Sequence, residues 1–179
     1  MNQSNNFSLL LKKQIFPGHS LLWSKAANNP DWLLGLTGSD FSSALYEHIE
    51  DTLNHFQPLG VKEWDVINEM IDQGSASHTF YLDQSGDPDI RVKIHQLVAT
   101  LYPDTKMFVN DYGIILDKEN RFALFQQLLR ELISAGAPVH AIGLQSHIKG
   151  KIFRLSIIFS CRCKSSSIVL FLFYSPVHI

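Results

Sequence analysis

The residues of this chain best suited to chemistry sit at the end of one short apolar run. Trp64-Asp65-Val66-Ile67-Asn68-Glu69 places an amide and a carboxylate side by side where a strand must stop. Such a pair suits glycosidic bond cleavage: the bridging oxygen leaves poorly until protonated, so an acid must stand beside it. A neighbouring amide can hold the 2-hydroxyl of the sugar under attack. On this reading Glu69 is the acid and Asn68 the hydrogen-bonding group. Taken alone, an Asn-Glu pair is more often a surface or capping feature, so the surrounding residues have to decide.

Three further segments carry polar or aromatic side chains where buried strands should end. They are Gly18-His19-Ser20-Leu21-Leu22-Trp23, Val109-Asn110-Asp111-Tyr112 and Gly143-Leu144-Gln145-Ser146-His147. Trp23 beside His19 and Asn68 is the mixture a carbohydrate cleft uses, because aromatic faces stack on the apolar faces of sugar rings. The plainer readings are a core histidine for His19, packing for Trp23, and a strand-ending turn for Asn110 to Tyr112, since Asn and Asp bond readily to their own backbone. Gln145 and His147, polar at alternate positions of an otherwise apolar strand, point to the cleft.

The elements that must position these residues alternate along the chain. A short strand from Gln14 to Trp23 is followed by a turn at Asn28 to Pro30. The spacing of Phe41, Leu45, Ile49, Leu53 and Phe56 predicts a helix that Ser39 and Asp40 can cap and that Pro58 and Gly60 stop. Val61 to Asn68 is the next strand, and a polar loop rich in Ser, Gly and Asp leads to a helix starting near Pro88 and closed by Pro103. Met107 to Val109 forms a strand, Asn120 to Ala135 a helix with Gly136 at its left-handed cap, and Ala141 to Ile148 another strand. Short apolar strands alternating with one-sided helices demand a parallel sheet covered by helices, an α/β fold. In a closed barrel of that kind, the loops at the C-terminal strand ends form the active face.

Composition narrows the partners. With 15 basic and 17 acidic residues and no basic stripe, nothing here recruits a nucleic-acid backbone or an anionic membrane. Cys161 and Cys163 form neither a disulfide framework nor a spaced metal motif. The start of the chain lacks the basic and apolar regions of an export signal. The longest apolar run of the tail, Ile168 to Tyr174, is far short of the roughly 20 residues that span a bilayer.

The four motifs, in this order and separated by helices of suitable length, resemble the third to sixth strands of glycoside hydrolase family 10, the endo-1,4-β-xylanases. The resemblance implies a partial (β/α)8 TIM barrel over residues 14–148, covering about strands 3 to 6. It also implies hydrolysis of xylan with retention and no metal or organic cofactor. Family members are expected to be extracellular monomers when complete. The resemblance makes Glu69 the proton donor, with His19, Trp23 and Asn68 around the sugar before the cleaved bond. It places Gln145 and His147 below the same sugar and Tyr112 on the leaving side.

The departures are equally definite. The family nucleophile belongs to a seventh strand, but no acidic residue follows Glu131, so no residue here takes that role. Residues 149–179 change texture and are expected to stand outside the native domain. A truncated, non-catalytic fragment or an oligosaccharide-binding remnant is therefore the alternative, and a barrel glycosidase acting on β-glucan a further one.

Overall fold

The computed structural model describes residues 17–71, 79–116, 118–145 and 169–173. Five parallel strands lie in sequence order: β1 (Leu22–Trp23), β2 (Glu63–Asn68), β3 (Lys106–Tyr112), β4 (Ala141–Gln145) and β5 (Val169–Phe173). Between them run α1 (Asp31–Leu34), α2 (Gly38–Phe56), α3 (Phe80–Ser85), α4 (Ile90–Leu101) and α5 (Arg121–Ser134). This order is the helix-covered parallel sheet expected from the alternation, and it is consistent with the partial barrel that the resemblance implies.

Helix α2 forms for the expected reason. Phe41, Leu45, Ile49 and Leu53, one turn apart, are all at most 1 % exposed. Burying each side chain contributes about 1.5–3 kcal/mol before conformational entropy is subtracted. The helix starts at Gly38 with extended Thr37 as its N-cap, two residues before Ser39, the earlier of the two expected caps. Asp40 instead lies in the first turn, where its charge opposes the positive end of the helix dipole. At the other end, Pro58 and left-handed Gly60 stop the chain as expected. Gly136, at φ 84°, follows α5 in the left-handed conformation also expected of it.

Other elements differ from the sequence expectation. The loop after β2 contains a six-residue helix, α3, too short to show periodicity but anchored by buried Phe80 and Tyr81. Phe41 meets both rings, at centroid separations of 5.4 and 5.8 Å. Residues 169–173, for which no strand was expected, form β5, paired in register with β4 from Ala141↔Val169 to Gln145↔Phe173. The run Val-Leu-Phe-Leu-Phe is apolar throughout and includes Val and two Phe, residue types enriched in strands. Of the strand expected from Gln14 to Trp23, residues 14–16 lie outside the described residues, and the rest supplies Leu22–Trp23 and an isolated bridge from Gly18 to Trp64. A side chain at Gly18 would meet the Trp64 ring at 2.2 Å, so only glycine admits this crossing.

Strand β2 is buried on both faces from Trp64 to Asn68, as a helix-covered parallel sheet requires. Its pairing with β3 slips between Asp65 and Ile67, so that Asn68 lies opposite Asn110. Among the described residues no helix is long and apolar enough to cross a membrane.

Candidate active site

The C-terminal ends of β1 to β4 converge on Glu69. Trp23, the last residue of β1, is paired with Asn68, and its indole Nε1 donates to Glu69 Oε2 at 3.0 Å. From two strands away, Gln145 Nε2 donates to Glu69 Oε1 at 3.0 Å and to Asn68 Oδ1 at 3.2 Å. Gln145 reaches that far because the β4 residue beside Asn110 is Gly143, which carries no side chain. Both oxygens of the carboxylate are thus held by neutral donors, one from β1 and one from β4.

The backbone at Glu69 is fixed as firmly. Its φ is 57°, a left-handed conformation that costs a non-glycine residue about 1–2 kcal/mol. Surrounding hydrogen bonds hold it there: Glu69 N donates to Asn110 O at 3.0 Å, and Ser24 Oγ donates to Glu69 O at 2.6 Å. Strain maintained by its surroundings clusters at functional sites.

Behind the carboxylate lies a buried polar chain. Asn110 Nδ2 donates to Asn68 Oδ1 at 3.1 Å and to Asp65 Oδ2 at 3.3 Å. His19 Nδ1 meets the same Asp65 oxygen at 2.6 Å. Asp65 and Asn68 are three residues apart and would face opposite ways on a regular strand. The slip at Val66 turns both toward Asn110. Burial pushes the Asp65 carboxyl above its ordinary range, against the pull of His19 and Asn110. The hydrogen bond to Asp65 in turn raises His19 above its ordinary value.

Trp23 is steadied from outside the sheet. The Tyr81 hydroxyl accepts from Trp23 N at 3.1 Å and donates to Asn29 Oδ1 at 3.1 Å, while Asn29 Nδ2 donates to Trp23 O at 2.9 Å. Tyr112 packs against a cation. The Arg121 guanidinium lies 3.9 Å from its ring centroid and pairs with buried Asp111 at 2.5 Å. Asp111 also accepts from Ile71 N at 3.0 Å, tying β3 to the segment after Glu69.

Of the residues expected at the site, His19, Trp23, Asn68, Glu69 and Gln145 therefore come together in one hydrogen-bonded set. Tyr112 is the β3 partner of Gln145 in the ladder, and His147 lies outside the described residues. The sequence reading missed Asp65, Asn29, Tyr81 and Arg121. For Asp65 and Arg121 a signal existed, since a charged residue in an apolar strand, or on the inner side of a helix, is almost always paired when buried. No group of three or more His, Cys, Asp and Glu side chains among the described residues is arranged to hold a metal.

Comparison with known proteins identifies the family. Residues 7–158 match the family model of glycosyl hydrolase family 10. Endo-1,4-beta-xylanase 1 of Arabidopsis thaliana is 34 % identical over 133 residues, covering 73 % of this chain and 13 % of that protein. Endo-1,4-beta-xylanase B of Neocallimastix patriciarum is 29 % identical over 143 residues, 76 % of this chain and 16 % of the relative. The solved intracellular xylanase of Thermoanaerobacterium saccharolyticum superposes with a TM-score of 0.60 at 28 % identity, covering 72 % of this chain and 43 % of that one. The chain thus spans less than a fifth of those two curated relatives and under half of that solved structure. With the family model matched over most of its length and the strand ends assembled around Asn68 and Glu69, the chain belongs to glycosyl hydrolase family 10.

Proposed function

We propose that Glu69 is the proton donor of a retaining glycosidase that cleaves β-1,4-linked xylan. Support comes above all from Trp23 Nε1 and Gln145 Nε2, which reach opposite oxygens of Glu69 beside the Asn68 amide. Glu69 protonates the glycosidic oxygen as the bond breaks, and later takes a proton from the water that releases the sugar. Asn68 binds the 2-hydroxyl, while Trp23 and His19 form the wall of the subsite before the cleaved bond. Gln145 and His147 lie beneath that sugar, and Tyr112 contacts the leaving side.

A retaining reaction needs a second carboxylate about 5–5.5 Å from the first. The sequence holds no Asp or Glu after Glu131, and no residue of this chain is assigned to the attack. That same fact favours a second reading, in which the 179-residue chain binds xylo-oligosaccharide without turning it over.

Calorimetry with xylotetraose, run beside a reducing-sugar assay on xylan, tests both. Binding is expected, weakened at least about tenfold by Trp23→Ala, the loss of one stacking platform. Any turnover should drop by about 10² to 10⁴ in Glu69→Gln, the usual worth of a general acid. Turnover unchanged in that variant would remove Glu69 from its role. Binding without turnover selects the second reading, and no binding at all defeats both.

A further inference from the structure

We infer that Asp65 and Asn110 are positioning residues that commit the Asn68 amide to one orientation, its oxygen turned into the polar chain and its nitrogen left as a donor. The direction is set at the Asp65 end of that chain, where a carboxylate paired with His19 offers only acceptor oxygens. Asp65 is 1 % exposed and its Oδ2 takes the Asn110 amide at 3.3 Å, so Asn110 must present nitrogen there. The same nitrogen lies 3.1 Å from the Asn68 amide, which must answer with oxygen. From the other side, Glu69 Oε1 accepts from Gln145 Nε2, and that nitrogen also lies 3.2 Å from Asn68 Oδ1.

Asp65 thus orients Asn110 and, through it, Asn68, and Gln145 Nε2 meets the same Asn68 oxygen. Asn68 Nδ2 is left buried with no acceptor among the described residues. A buried unpaired donor is costly, so the site favours a group offering an oxygen lone pair, such as a sugar hydroxyl. A ligand presenting only carbon or another donor at that point is disfavoured. This preference rests on the reading of Asn68 as a sugar contact; the hydrogen-bond direction does not.

The direction can be read without ligand in the full chain labelled with ¹³C and ¹⁵N, through couplings transmitted across hydrogen bonds. Asn110 Nδ2 and Gln145 Nε2 are each expected to couple to Asn68 Cγ. Coupling in the opposite sense, from Asn68 Nδ2 to Asn110 Cγ or Gln145 Cδ, would overturn the inference. In the ligand arm, Asn110→Asp places an acceptor against the Asn68 oxygen and should weaken xylotetraose binding at least tenfold. Affinity equal to that of the unaltered chain would also count against the inference. Should the unaltered chain fail to bind xylotetraose while the couplings run as expected, the functional reading falls and the orientation of Asn68 stands.

Discussion

At the scale of single residues, Asp65 links the two halves of the site, because one of its oxygens serves both His19 and Asn110. Replacing it with isosteric, neutral Asn removes the charge that favours protonated His19. The His19 pKa is therefore expected to move down in Asp65→Asn, followed by NMR titration of the imidazole Cε1 proton; an unmoved titration would mean that another group holds it up. The sign matters for stability. A His raised on folding stabilises the native state below its unfolded value, and that contribution disappears as pH rises through the folded value. Asp65 could have been suspected from sequence because a charge sits within Trp64 to Ile67. Its partners could not, since the slip at Val66 breaks the period-two rule that assigns strand residues to faces.

At the scale of elements, α4 carries a pH liability of opposite sign. His95 is fully buried, and burial depresses its pKa to about 4 despite the hydrogen bond from Nδ1 to Arg91 O at 2.8 Å. The neutral ring is native, and the unfolded chain takes up a proton first. Stability is therefore full above about pH 6.5 and declines as pH falls toward 4, by up to about 3 kcal/mol at 1.36 kcal/mol per unit. Urea unfolding at pH 7 and pH 4.5 should show the decline, and His95→Leu should flatten it; an unchanged slope in that variant would assign the acid sensitivity elsewhere. Long helices such as α2 were legible because four buried positions repeat every turn. Helix α3 was not, because six residues hold too little periodicity and its anchor, Tyr81, declares itself only by touching Phe41 and Trp23.

At the scale of the whole molecule, the alternation of strands and helices was enough to anticipate a parallel sheet with its polar residues at one end. The fifth strand was not anticipated. Residues 169–173 lie beyond the residues that match the family, yet they pair with β4 along its full length. Their apolar run carries no alternation from which a partner could be inferred. If β5 holds the edge of the sheet in solution, proline at Leu170 or at Phe171 must remove a backbone donor, and one of the two faces β4. One of these variants should speed amide exchange in Ala141–Gln145 at least about tenfold on the β5 side and leave the β3 side protected. Equal exchange in both variants and the parent would mean that β4 does not rely on this partner.

The left-handed backbone at Glu69 has a consequence for how substitutions there would be ranked. Asn, Asp and Gly tolerate that conformation better than Glu does. A library at position 69 sorted only for folded yield should therefore enrich those three, whereas one sorted for xylan cleavage should return Glu. The two selections would then disagree at position 69, and agreement between them would count against the role proposed for Glu69.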